Sequence, residues 1–183
     1  MTRHRIQLLA VVGLALVSLV ATVMRTEARE RKRFRADLQT TSRLVAPPQG
    51  RCSDEPGHAP VVGVLEVVGA GDATFLGPVV DEQSHCVRAD GSFFEGRFKL
   101  TNAHGGTITG RYFGRLEPTF NSTFPPPVHG GPWLIKGNVC ISGGNAGDIE
   151  NDCAVNRYQP ARGITNLSTG DATIFLNQTI GID

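Results

Sequence analysis

"SFFEGRFKLTNAHGGTITGRYFG", residues 92–114, is the stretch whose periodicity decides the fold. Phe94, Gly96, Phe98 and Leu100 alternate with Glu95, Arg97, Lys99 and Thr101. A strict period of two places the first set on a buried face and the second in water. Residues 102–106, "NAHGG", break the pattern as a turn, and 107–114 resume it. Ile108, Gly110 and Tyr112 then face inward, with Thr107, Thr109 and Arg111 outward. Two alternating runs joined by a short glycine-bearing loop make an antiparallel hairpin.

The same texture extends in both directions. "VVGVLEVV" (61–68) is β-branched, and "DATFLGPVV" (72–80) follows a glycine turn. "PWLIKGNVCIS" (132–142) and "DATIFLNQTI" (171–180) are further strand candidates, the last with Ile174, Leu176 and Ile180 on one side. After residue 60 nothing sustains a 3.6-residue period. The inventory is seven or eight short strands with polar, Gly-rich turns, which predicts one all-β domain, a barrel or a sandwich. Closure into an antiparallel barrel of about eight strands removes exposed edges, which suits an exported protein. "EPTFNSTFPPPVHGGPW" (117–133) carries three consecutive prolines and cannot be a central strand. It is expected to cross one mouth as a long loop.

The N-terminus is of another kind. Arg3, His4 and Arg5 precede a charge-free apolar run over 6–24. That is a secretory signal or a signal anchor rather than part of a fold, and residues 1–28 are assigned to it. Thr26-Glu27-Ala28 is the best approximation to a cleavage site, and the run approaches membrane-spanning length. Both readings, cleaved and anchored, stay open. A membrane contact is expected only through 6–24, and only if the segment is retained. Residues 29–60, basic and then Pro- and Gly-rich, read as a linker, which leaves 61–183 as the barrel domain.

Four cysteines, Cys52, Cys86, Cys140 and Cys153, all follow the apolar run. An even count behind an export signal predicts two disulfides and a secreted or periplasmic location. Of three possible pairings, Cys140 with Cys153 closes a short polar loop, and Cys52 with Cys86 ties down the linker. No Cys-x-x-Cys or nearby His pair suggests zinc, and no cofactor is expected. From Ala36 onward there are 10 Lys and Arg against 15 Asp and Glu. A mildly acidic domain without a basic stripe is not a nucleic-acid binder.

Residues 66–77, "EVVGAGDATFLG", pose a separate question, because most of the phrase returns as "GDATIFLN" at 170–177. Gly-Ala-Gly-Asp resembles a sugar-kinase phosphate loop. Pro78, Val79 and Val80 argue against the helix such a loop needs, and the phosphate-loop spacings are not met. The phrase is read as a turn that launches a strand. On Ala73-Thr74-Phe75-Leu76-Gly77, the Phe-rich strand and the turn at 102–108, the chain resembles exported bacterial β-proteins with an Ala-Thr-His-Leu-Gly-like motif. These are similar to the allene oxide cyclase-like and dirigent-like barrels. The likeness covers 61–115 well and 132–181 loosely. Phe75 stands where that group carries His, and the Cys140–Cys153 segment replaces its Gly-rich phrase. The resemblance implies an eight-stranded antiparallel barrel with an interior cavity and the capacity for homo-oligomers. It carries over no catalytic residue.

Glu66, set among apolar residues in "VVGVLEVVG", is the candidate general acid/base if it points into a cavity. Otherwise it sits on the wet face. Phe94, Phe98, Tyr112, Phe175 and Trp133 are the expected lining. Asp148, Glu150 and Asp152 in "GGNAGDIENDC" read as a solvated acidic loop rather than a calcium site. The leading expectation is a non-catalytic exported barrel that binds a small apolar ligand or a partner surface. A cofactor-free cyclase or isomerase and a structural envelope domain are the alternatives.

Overall fold

A computed structural model describes residues 30–46, 51–119 and 132–181. The apolar run at 6–24 and most of the Pro-rich stretch, 120–131, lie outside these residues.

Eight antiparallel strands close on themselves in sequence order. They are β1 (Arg31–Val45), β2 (Val61–Ala73), β3 (Gly77–Arg88), β4 (Ser92–Asn102), β5 (Thr107–Pro118), β6 (Pro132–Gly144), β7 (Gln159–Asn166) and β8 (Asp171–Gly181). β1 pairs with β2 on one side and β8 on the other, so no edge is left free.

The all-β barrel expected from periodicity is therefore present, but its boundary is not at residue 61. Residues 31–45, assigned to a linker, form a complete wall strand. Phe34, Ala36, Leu38 and Thr40 are buried there, while Arg33, Arg35, Asp37 and Gln39 face out. The charged outer residues imitate a tail, and the inward set shrinks from Phe to Thr, which weakens the hydrophobic signal. β7 is hidden in the same way: its buried positions are Ala161, Gly163 and Thr165.

The Gly-Ala-Gly-Asp phrase is not a turn. Gly69 and Gly71 lie inside β2, and the chain reverses at Thr74-Phe75-Leu76. A Cβ at Gly71 would strike the Asp37 carbonyl oxygen, and one at Gly69 the Gln39 carbonyl oxygen. The glycines thus admit the close passage of β1 over β2. The two copies of the phrase flank β1: Asp37 pairs with Asp72 on one side and with Phe175 on the other.

One end of the barrel is packed solid by Phe34, Leu38, Leu76, Leu100, Ile108, Ile141 and Ile180. The β6–β7 connection closes it, with Ala146 and Ile149 against that core. A short 3-10 helix there, Asp152–Val155, is stapled to β6 by the Cys140–Cys153 disulfide. The acidic residues of this segment are not simply solvated. Asp152 is fully buried and takes Arg157 at 2.7 Å, and Arg157 also meets Glu150 at 3.2 Å.

The second disulfide, Cys52–Cys86, straps the β1–β2 connection onto the outer wall. Under it Cys52, Val64 and Cys86 form a small satellite core, with Phe94 packed against it. Both bridges match the pairing inferred from spacing, and they suit an oxidising environment.

Candidate functional site

The half of the barrel opposite the packed end is hollow. β1 contributes Thr40 and Ser42 there, β6 Gly137, β7 Ala161 and Thr165, and β8 Ala172. These small side chains stop short of the axis, and a cavity of about 140 Å³ remains. Leu65, Val67, Phe98, Ile135, Val139 and Leu176 make most of its remaining wall apolar.

β3 brings the polar groups. Its inward row is Val79, Asp81, Gln83, His85 and Val87, since Cys86 and Ser84 belong to the outer face. Asp81 is fully buried, paired in register with Leu100 and outside the cavity lining. Gln83 donates from Nε2 to Asp81 Oδ2. The other carboxylate oxygen, Oδ1, has no hydrogen-bond partner. Burial therefore pushes the Asp81 carboxyl up to about 6, against the lowering effect of the Gln83 hydrogen bond.

His85 Nδ1 lies 2.8 Å from the Tyr112 hydroxyl. Burial, reinforced by the nearby Arg51 guanidinium, lowers the imidazole to about 4, so it is neutral at pH 7. Burial raises the Tyr112 phenol well above its ordinary value, with the Asp81 charge adding to the effect. Phe93 closes the group: its ring centroid is 5.1 Å from His85 and 6.0 Å from Tyr112. Gly96 makes room for the phenol, because a Cβ there would lie 2.6 Å from Tyr112 Cδ2.

Phe93 occupies the place expected of Phe94. The cause is a bulge between Phe93 and Gly96, where Glu95 takes a positive φ of 50°. An extra residue reverses the faces of everything before it. Phe98 and Leu100 keep their predicted inward positions, whereas Phe94 turns outward beneath Arg88, whose guanidinium carbon is 3.8 Å from the ring centroid. β3 is irregular at the same level, between Ser84 and Cys86. Arg51, from the strap, donates to the Ser84 and Glu95 carbonyls there, at 3.2 and 3.1 Å. The strap residue thus supplies hydrogen bonds that the broken ladder cannot.

Of the other residues singled out from sequence, Tyr112 and Phe98 line the cavity. Trp133 is buried but outside the cavity lining. Phe175 is on the outer face and 47% exposed. Glu66 is also on the outer wall, bound by Arg43 at 2.6 Å. It cannot serve as an interior acid/base. Asp81, Gln83, His85 and Phe93 were not anticipated. "VVDEQSHCVR" carries apolar and polar residues in both phases of a period-two pattern, so sequence alone does not say which phase faces in.

Among the described residues one cluster gathers potential metal ligands, Cys52, Cys86 and Glu95. Its two sulfurs are bonded to each other and offer no thiolate. Set beside known protein families, curated proteins and solved structures, the chain matches none of them.

Proposed function

We propose that this protein is an exported binding barrel that takes a small, largely apolar molecule into its cavity. The observation that carries the reading is the hollow half itself: an apolar-walled space of about 140 Å³ into which Gln83, His85 and Tyr112 project. Apolar pockets with a few convergent polar groups are the usual form of small-molecule sites. An apolar cavity of about 150 Å³ in another protein takes up benzene, which sets the scale of the ligand at about one six-membered ring. The apolar run at 6–24 and the two disulfides support export to a secreted or periplasmic location. The resemblance to allene oxide cyclase-like and dirigent-like barrels agrees with a ligand-holding interior.

Native mass spectrometry of the protein from its own source tests this reading, with a co-purified small molecule as the expected result. The complement is a thermal-shift series with cyclohexane. Binding raises the transition temperature of the natural chain and loses its effect in Ala161→Leu, which fills the space. No shift with any single-ring compound would sink the reading.

The His85–Tyr112 hydrogen bond favours a second reading, a cofactor-free isomerase or cyclase. There Tyr112 would polarise a carbonyl oxygen and His85 would relay the proton. Turnover lost in Tyr112→Phe with ligand binding retained would select it over the binding protein.

A further inference from the structure

We infer that the cavity recognises a small neutral alcohol, whose hydroxyl donates to Gln83 Oε1 and accepts a hydrogen bond from the His85–Tyr112 pair. The inference rests on the binding reading above and names the ligand class for the same site.

The argument is a count of protons. A neutral imidazole has one N–H and a phenol one O–H. His85 and Tyr112 share a single hydrogen bond, between Nδ1 and the hydroxyl oxygen. If Tyr112 donates, the imidazole proton is on Nε2. If His85 donates, the phenol proton is free. Either way one proton is left to donate, and among the described residues the only side-chain hydrogen bond of this pair is the one they share. The pair therefore presents one donor to the cavity, whichever tautomer holds.

Gln83 is fixed from the other side. An ionised Asp81 can only accept, so it holds the Gln83 amide by its nitrogen and leaves Oε1 toward the cavity as an acceptor. Gln83 and His85 are neighbouring inward positions on β3, about 7 Å apart along the strand. One donor and one acceptor flank the same apolar space, and a hydroxyl is the smallest group that satisfies both.

Charged head groups fit worse. Arg162, beside the cavity, stands in the exposed outer register between buried Ala161 and Gly163. No other Lys, Arg, Asp or Glu is among the lining residues. An anion would find no inward-facing cation in the described lining, since Arg51 lies behind the His85–Tyr112 pair, and it would leave Gln83 Oε1 facing a second acceptor. An ammonium would be screened from Asp81 by Gln83 and would leave the His85–Tyr112 donor facing a second donor. Burial of an unpaired charge is far more costly than burial of a satisfied hydroxyl.

The test uses the full chain at pH 7.5 with four probes: cyclohexane, cyclohexanol, cyclohexylamine and cyclohexanecarboxylate, followed by calorimetry. Cyclohexanol should bind about tenfold or more tightly than either charged probe. In Gln83→Leu the preference for cyclohexanol over cyclohexane should fall about tenfold, with cyclohexane binding kept. An unchanged preference, or tighter binding of a charged probe, overturns the inference while leaving the binding reading intact. Failure of both cyclohexane and cyclohexanol to bind the natural chain removes both. Should Gln83→Leu not fold, the natural chain still decides. Cyclohexanol should move the His85 side-chain nitrogen resonances and the Gln83 amide resonances, and cyclohexane should not. Equal responses to the two probes would overturn the proposal.

Discussion

The two ends of the barrel are built from the same eight strands and differ in what those strands point inward. β1 places Phe34 and Leu38 at one end and Thr40 and Ser42 at the other. β6 places Ile141 at the first and Gly137 at the second. Where the inward side chains are large they meet on the axis, and the fold gains buried apolar area. Where they are small the wall stands without a filling. Between the two lies the polar row of β3, Asp81, Gln83 and His85, at the boundary of solid and hollow. A barrel wall is held by its backbone ladder, so one half can give up its core provided the other half keeps one.

The largest expected effect comes from breaking the solid end. Phe34→Ala leaves a hole that the packed surroundings cannot close, and it should cost about 3–5 kcal/mol by denaturant unfolding. A cost below about 1 kcal/mol would mean that this end is not the stabilising one.

The polar row comes next, and it predicts two opposed pH dependences. The Asp81 carboxyl, raised from 3.8 to about 6, holds its proton more tightly in the fold than in the unfolded chain. Stability from this group is present below about pH 4 and is lost as pH rises through about 6. His85, lowered from 6.5 to about 4, behaves in the opposite way, since the unfolded chain binds the proton more tightly. Its contribution is present above pH 6.5 and is lost as pH falls through about 4. Each spans about 3 kcal/mol, so in the natural chain the two largely cancel between pH 4 and 6. Asp81→Asn should unmask a stability that rises with pH over this window, and His85→Gln one that falls. Urea titrations at pH 4, 5 and 6 would reveal it, and parallel slopes in the two variants would refute the assignment.

A smaller contrast concerns added volume. Ala36→Leu in the solid half should cost about 1–3 kcal/mol through overpacking. Ala161→Leu in the hollow half should cost less than about 1 kcal/mol, as measured by thermal unfolding. Equal costs would mean that the cavity is not available space.

The smallest effects belong to the outer wall. Phe175→Thr should change stability by no more than about 0.5 kcal/mol, as for an exposed position. Glu66→Gln should leave probe binding unaltered in the same calorimetric assay. A loss of binding in Glu66→Gln would move the site to the outside of the barrel.

Much of this was legible in the residues. The alternation over 97–101 and 107–112 names the inward residues of the β4–β5 hairpin correctly, because one buried face and one wet face leave a local record in every second residue. Cys140 with Cys153 was readable for a similar reason: a short loop leaves little choice. β1 and β7 were not readable, since Ala161, Gly163 and Thr165 are inward for reasons of space and carry no hydrophobic signal. Phe94 and Phe93 exchange roles because of one residue at positive φ, Glu95, whose cost is met by the strands and strap around it.

The sequence by itself determined the all-β class of the fold and the pairing of its cysteines, whereas its charge balance shifts once β1 joins the barrel, to 14 Lys and Arg against 15 Asp and Glu over 31–183. Those properties are sums or short-range periods, and each segment carries its own part. Only the tertiary structure decided which phase of β3 faces inward, and hence that Gln83, His85 and Tyr112 share one cavity, with Asp81 holding Gln83 from behind. Register between strands is set by closure of the whole barrel, and a single bulge anywhere along a pair shifts it. The chemistry of the interior therefore depends on contacts between residues far apart in the chain.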